Sequence, residues 1–392
     1  MFCYNCYVNY YYFSVLFLLF CVLTYCDELP EGSECESEDG LKGTCTDIHK
    51  CMQFVMPLKT RQSYPQICSF NGQIPVVCCT DCEYVNNTGN VLVDRFGSHF
   101  FKTGNKAYDK CMEYVIDSPY SCRLWGGVQR YLVEEKECYG YTPTVVLAAA
   151  GGIDAERGQY PHMALLGYGE DPETADWLCG GTLISHRYIL TAAHCLSSRA
   201  VGPVKFIALG LLKRSDPMET WQIYNVQAAI QHPEFKPPSK YHDIALLVSD
   251  KWIPFSPVVL PACLSTGGAQ DQAYATGWGA TGHREALADT LQTVTLTAYA
   301  EEECMGFFPP HRQLEKGYDH KTQMCYGARD QINDTCEGDS GGPLQVRSEI
   351  SSCVHTVIGV TSHGKPCGFA GGSGVYTRVE YYVPWIESIV WP

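Results

Sequence analysis

Charge is scarce in this sequence, and positive charge scarcer still. Asp, Glu, Lys and Arg make up 18% of the 392 residues, and 28 basic against 43 acidic side chains leave a formal net charge of -15. That balance argues against a nucleic-acid backbone or an anionic membrane surface as partner. Long apolar runs are missing too. The most apolar stretch, Phe13 to Leu23, is about eleven residues, short of the ~20 that a bilayer-spanning helix needs. Helical periodicity is absent from the second half until the extreme C-terminus, and no internal repeat or low-complexity segment stands out, which excludes solenoids and repeat arrays.

Cysteine, by contrast, is abundant. The 22 cysteines point to an oxidising compartment. Phe13–Leu23 is followed by Thr24-Tyr25-Cys26 and then by acidic, polar chain, so residues 1–26 are expected to be a secretory signal peptide. The stretch Met1–Tyr12 lacks Lys and Arg, which leaves a signal anchor as the competing reading; the downstream cysteines favour secretion. Cys35, Cys45, Cys51, Cys68, Cys78 and Cys79 follow within about 45 residues. A segment that short buries too little apolar surface to fold alone, so disulfides are the expected staple. Six cysteines allow fifteen connectivities, and spacing does not choose among them. A zinc site is the rival, but residues 35–79 hold no Cys-x-x-Cys and only His49 nearby. Residues 80–148 read as an irregular linker and activation region with one short amphipathic helix around Tyr108–Tyr114. Asn86-Asn87-Thr88 offers an exposed glycosylation acceptor at Asn86. The second sequon, Asn333-Asp334-Thr335, lies beside the candidate site and is expected to stay unmodified.

From residue 149 onward short strand-like runs recur: Met163–Leu166, Tyr188–Thr191, Val204–Leu209, Ile244–Val248 and Val357–Val360. Gly, Pro, Asp and Asn punctuate them, the pattern of an all-β barrel or sandwich. Val383–Trp391 places apolar side chains at i, i+3 and i+4, which predicts one closing helix.

Within this region three stretches can supply a nucleophile, a base and an orienting carboxylate. Gly338-Asp339-Ser340-Gly341-Gly342-Pro343 presents a serine on a glycine turn. Alone it is a weak signal, since flexible β-turns produce it by chance. Thr191-Ala192-Ala193-His194-Cys195 offers a base and His242-Asp243-Ile244-Ala245-Leu246 a carboxylate. A single His or Asp is more often structural than catalytic, so their order matters. An α/β-hydrolase needs its acid and histidine after the serine. Only 52 residues follow Ser340, and none is Asp. The order His194, Asp243, Ser340 is that of the chymotrypsin triad.

Together with Gly277-Trp278-Gly279 and Gly374-Val375-Tyr376-Thr377-Arg378-Val379, these motifs resemble those of the chymotrypsin family, in order, through residues 149–392. With the cysteine cluster ending in Val77-Cys78-Cys79, the chain resembles an arthropod clip-domain serine protease zymogen, and within that group the Snake-like branch. The resemblance implies an all-β fold of two Greek-key six-stranded barrels with a C-terminal helix, preceded by a clip domain over residues 35–79. It implies a secreted, trypsin-like endopeptidase of an extracellular cascade, immune (prophenoloxidase or Toll activation) or developmental. Its partners would be downstream zymogens, an upstream activating protease and serpins, with no cofactor and no metal. His194 would be general base, Asp243 its orienter and Ser340 the nucleophile, with an oxyanion hole at the Gly338 and Ser340 amides. Asp334 would lie at the base of the S1 pocket between Gly364 and Gly374, pairing with a substrate Arg or Lys. A non-catalytic homologue acting as scaffold or cofactor is the alternative.

The resemblance also implies the disulfides Cys35–Cys78, Cys45–Cys68, Cys51–Cys79, Cys179–Cys195, Cys304–Cys325 and Cys336–Cys367, with Cys138–Cys263 holding the N-terminal part after activation. Cys82, Cys111, Cys122 and Cys353 are left without an assigned partner. One departure stands out. The family's new N-terminus, usually Ile-Val-Gly-Gly, inserts to pair with the aspartate before the serine, here Asp339. This chain has Ala149-Ala150-Gly151-Gly152 there, losing roughly two to three CH₂ equivalents of burial at ~0.8 kcal/mol each. No Arg or Lys precedes the junction, so cleavage after Leu147 or Ala148 calls for a chymotrypsin- or elastase-like activator.

Overall fold

The computed structural model describes residues 29–36, 42–48, 66–72, 74–79, 83–85, 103–116, 121–125, 129–133, 152–256, 258–268, 270–280, 282, 286–329, 338–348, 354–364 and 372–392. The chain divides into two units, one of residues 1–98 and 121–134, the other of residues 99–120 and 135–392.

The first unit holds a four-stranded antiparallel sheet of β1 (Glu34–Glu36), β2 (Lys42–Asp47), β3 (Ile67–Asn71) and β4 (Ile74–Cys79), in the order β1-β2-β4-β3. Its buried apolar cluster is little more than Val77 and Cys79 with Ile48 against them, so covalent staples carry the structure. Cys35–Cys78 and Cys45–Cys68 bridge it as expected. Cys79 is disulfide-bonded as well; Cys51, its expected partner, lies outside the described residues. The region read as a linker is more ordered than its sequence indicates. It contributes β5 (Glu83–Val85), β6 (Ser121–Trp125) and β7 (Gln129–Val133), a sheet in the order β5-β7-β6. Short, irregular alternation hides these strands in the sequence.

The second unit is built on two closed six-stranded antiparallel barrels. The first runs β9 (Met163–Tyr168), β10 (Asp176–Leu183), β11 (Tyr188–Thr191), β15 (Ala245–Ser249), β14 (Gln222–Gln231), β13 (Gly202–Leu209), and closes from β13 back to β9. Every residue of β9 is buried, and Leu166, Ile189, Leu190, Ile207 and Leu246 belong to one buried apolar cluster on the two faces of this sheet. The second barrel runs β17 (Gln272–Gly277), β18 (Gln292–Ala298), β19 (Gln323–Gly327), β22 (Gly374–Arg378), β21 (His355–Gly364), β20 (Pro343–Arg347), and closes from β20 to β17. Its core sets small Ala273 and Ala275 against Leu296, Leu344 and Tyr376. Three two-residue strands extend the barrel sheets: β8 (Ile153–Asp154) on β18, β12 (Ser197–Ser198) on β13 and β16 (Cys263–Leu264) on β21. The predicted closing helix forms over Val379–Val390, four residues earlier than the apolar pattern starts, and buries Val379, Tyr382, Val383, Ile386 and Val390 along one face.

The helix expected near Tyr108–Tyr114 spans Lys106–Ile116, and it corrects one disulfide. Ala107 and Cys111, one turn apart, are both buried, and Cys111 rather than Cys138 bonds to Cys263, with Cα atoms 5.1 Å apart. The helix is held onto the barrels by neighbouring contacts. The Ala107 amide donates to Glu387 Oε1 at 2.7 Å, and Trp391 Nε1 donates to the Tyr114 hydroxyl at 3.1 Å. Docking of this amphipathic face, which linear spacing cannot reveal, puts Cys111 within bonding reach of Cys263. Cys138 lies outside the described residues.

Candidate active site

Register brings the base and the carboxylate together. In the antiparallel pair β11–β15, Thr191 stands opposite Ala245. His194, three residues beyond Thr191, and Asp243, two before Ala245, therefore emerge at the same end. His194 sits on a 3₁₀ turn, Ala193–Leu196, tied to β10 by Cys179–Cys195. Asp243 is fully buried. Its Oδ1 accepts the His194 backbone amide at 2.9 Å, and its Oδ2 accepts His194 Nδ1–H at 2.7 Å. A third donor completes the cage: Ser362 Oγ–H reaches Oδ2 at 2.6 Å. Burial alone pushes the Asp243 carboxyl upward, but the hydrogen bonds and charge of His194, with the Ser362 bond, hold it below the ordinary carboxylate range. A buried charge so paired fixes both the orientation and the tautomer of the imidazole.

Ser340 lies in the tight turn before β20, partly exposed. Its carbonyl accepts the Gly180 amide of β10 at 2.8 Å, and Gly180 adjoins the Cys179 that is bonded next to His194. Gly338 and Gly341 both have positive φ, +99° and +77°, which L side chains rarely adopt. Space forbids a side chain as well. A Cβ on Gly341 would come 2.2 Å from Thr191 Oγ1 and 2.6 Å from the Gly180 carbonyl. The nucleophile turn thus lies directly against the strand that leads into His194. Among the described residues the Gly338 and Ser340 amides have no hydrogen-bond acceptor, so two N–H donors flank the serine, as an oxyanion requires.

Asp339 turns the other way. Its Oδ1 accepts the Gly279 amide at 2.8 Å, and its carboxylate occupies the space that a Cβ on Gly277 or Gly279 would take, 2.0 Å and 2.5 Å away respectively. The two glycines of Gly277-Trp278-Gly279 are there so that this carboxylate can approach the backbone.

Gly364 and Gly374 stand opposite each other in the β21–β22 ladder. A Cβ on Gly364 would meet the Ser373 carbonyl at 3.2 Å. His363, the residue before Gly364, packs edge-on to Phe308. Burial, and then the nearby Lys240, push His363 down to about 4, so it is neutral at physiological pH. Asp334, Cys336, Cys367, Leu147, Ala148, Ala149 and Asn86 lie outside the described residues. Cys304–Cys325 forms as expected.

Two supporting residues escape a reading of the sequence alone. Ser362 and Thr377, whose Oγ1 donates to the Asp243 carbonyl at 2.9 Å, are both buried and come from strands more than a hundred residues downstream. Thr377 stands in a motif that can be read as a motif; its bond to Asp243 appears only when the barrels close.

The fold and this geometry define a serine endopeptidase, and the chain belongs to the trypsin family, whose profile, described as Trypsin, matches residues 149–386. Its relatives narrow the group further. Serine protease snk of Drosophila melanogaster is 32% identical over 368 residues, covering 92% of this chain and 79% of that one. Venom serine protease Bi-VSP of Bombus ignitus is 29% identical over 374 residues, 91% of each. Phenoloxidase-activating enzyme 1 of Spodoptera litura is 26% identical over 384 residues, 92% of this chain and 94% of that one. The arthropod clip-domain serine proteases are the group that these relatives and the disulfide-stapled N-terminal sheet fit.

Proposed function

We propose that the chain is a secreted zymogen whose processed form cleaves after Arg or Lys in an extracellular proteolytic cascade, with His194, Asp243 and Ser340 as its triad. The observation that carries this reading is the buried Asp243 carboxylate, which accepts from the backbone and ring N–H groups of His194 and from Ser362. In a serine protease triad such a cage holds the proton on the histidine Nδ1, which leaves Nε2 of His194 as an acceptor. His194 then takes the Ser340 hydroxyl proton as Oγ attacks the scissile carbonyl, and Asp243 stabilises the imidazolium that forms. The Gly338 and Ser340 amides receive the oxyanion, each donor being worth ~3–4 kcal/mol in the transition state. The imidazolium returns its proton to the leaving amine, and water repeats the sequence to release the acyl group.

Cleavage after Arg or Lys rests on Asp334, six residues before Ser340, and on the facing glycines Gly364 and Gly374, which leave room for a long side chain. The zymogen reading rests on Asp339 and on the 149–152 stretch, where a new amino terminus at Ala149 would pair with that carboxylate. Such pairing draws in less apolar surface than Ile-Val would. Membership of a cascade is supported by relatives named for phenoloxidase activation and melanization. No helix among the described residues is long and apolar enough to cross a membrane.

N-terminal sequencing of the processed protein, with arginyl-substrate assays of the wild type, Ser340→Ala and Asp334→Ser, tests the proposal. A new terminus at residues 148–149, activity abolished by Ser340→Ala, and arginyl preference abolished by Asp334→Ser are expected. Equal rates for wild type and Ser340→Ala would instead favour a scaffold role.

A further inference from the structure

Next to Asp243 in the chain, three further side chains converge. His232 follows the last residue of β14, and Glu234 comes two residues later in a turn closed by the Phe235 amide on the His232 carbonyl at 3.0 Å. His242 immediately precedes Asp243 and, alone among the described non-glycine residues, has a positive φ, 56°. That twist swings its ring back over His232; the two rings lie 5.5 Å apart, nearly parallel. His242 Nδ1 is 3.8 Å from Glu234 Oε2. One ligand atom from each of the three residues falls within 4.8 Å of the other two.

We propose that His232, Glu234 and His242 form a binding site for a zinc-like divalent transition metal, and that its occupancy slows hydrolysis through Asp243. Two imidazoles and a carboxylate are a donor set suited to such an ion and poorly suited to calcium or magnesium, which take oxygen ligands. Tetrahedral coordination at ~2.0–2.1 Å needs donors about 3.4 Å apart, so the three must close by roughly an ångström. Glu234 can supply most of that movement, because its side chain is 64% exposed and hangs from a turn. The imidazoles need little. His232 is buried edge-on against Tyr382 and Trp385 of the closing helix, each ring centroid 5.0 Å away. His242 Nδ1 lies 2.9 Å from the Tyr382 hydroxyl, a partner that it must exchange for the ion. Partial exposure of His242 and Glu234 gives the ion an entry path and leaves a fourth position for water.

The link to catalysis is chain connectivity. A dication held on His242 sits one residue from the carboxylate that must stabilise the positive charge on His194, and it opposes that charge. Only this coupling rests on the proposed triad; binding does not.

Zinc chloride titrated calorimetrically into the processed full chain at pH 7.5, with thermal melts and hydrolysis assays in parallel, tests both parts. Expected are one zinc per chain at this site, a raised Tm, and hydrolysis slowed several-fold, with no response to calcium or magnesium. His232→Gln and Glu234→Gln should each weaken zinc binding at least about tenfold while metal-free hydrolysis stays unchanged. Glu234 is exposed, so its variant folds even if His232→Gln does not. Zinc binding that persists in Glu234→Gln, or no binding in the wild type, overturns the site. Binding that stabilises without slowing hydrolysis overturns the coupling.

Discussion

Replacing Asp243 by Asn removes a charge while keeping the shape, and the hydrogen-bond geometry dictates what must follow. Asp243 presents two acceptors, Oδ1 to the His194 amide and Oδ2 to both His194 Nδ1 and Ser362 Oγ. Asn has one acceptor and one donor. If its oxygen faces the His194 amide, its NH₂ faces Nδ1, and the imidazole must shift its proton to Nε2, where it cannot take one from Ser340. If the amide flips, its NH₂ meets the His194 backbone N–H, and a buried donor left unpaired costs ~1–3 kcal/mol. The first arrangement wins, because the tautomer shift avoids that penalty and Ser362 can rotate to accept. Holding a triad imidazole in the wrong tautomer lowers kcat about ten-thousandfold, or ~5 kcal/mol at ~1.4 kcal/mol per decade. The assay is arginyl p-nitroanilide hydrolysis at pH 7.5 with active-site titration, alongside melts to show an intact fold. Ser362→Ala is the control: it removes one donor and leaves both His194 contacts, so its loss should be far smaller. An Asp243→Asn enzyme within about tenfold of wild type would mean that the charge and tautomer set by Asp243 do not govern the rate.

Three other outcomes follow from the same geometry. Gly341→Ala should cost on the order of 10²-fold or more in hydrolysis, since its Cβ cannot fit against Thr191 and Gly180; near-normal rates would mean that the turn does not pack against that strand. Burial pushes the His162 ring, whose Nε2 bonds Gln345, down to about 4. The unfolded chain takes up that proton below ~6.5 while the folded chain does not, so the contribution is present above ~6.5 and lost on acidification to about 4, ~3 kcal/mol in all. Denaturant titrations at pH 7.5 and 4.5 should show a smaller difference for His162→Gln than for the wild type; equal differences would contradict the shift. Finally, non-reducing peptide mapping of the processed protein should recover Cys111 linked to Cys263; a Cys138–Cys263 peptide would contradict the docked helix.

The protease unit is legible in the sequence where its strands carry dense apolar runs, as β9, β11, β13, β15 and β21 do, whereas polar strands such as β14 and β18 give no such signal; the His194 and Asp243 motifs sit at strand ends that sheet register brings together. Thr191 opposite Ala245 is enough to join His194 to Asp243. The supporting shell is not legible. Ser362 and Thr377 reach Asp243 only across closed barrels, and nothing local distinguishes them from other strand hydroxyls. The pairing of Cys111 is hidden for the same reason. Its helix face, with Ala107 and Cys111 one turn apart, is readable, but where that face docks depends on Glu387 and Trp391 at the far end of the chain. The β5–β7 sheet escapes for a different reason: its strands are short and lack clean alternation, so period-2 patterning offers too little to read.

In the proposed mechanism His194 and Asp243 activate Ser340 as a nucleophile, and treatment of the processed protein with a fluorophosphonate, followed by peptide mapping, reads that activation at the serine itself. One label per chain on Ser340, abolished by His194→Ala and strongly slowed by Asp243→Asn, is the predicted result. An unlabelled Ser340 in protein whose new N-terminus has been verified would contradict it.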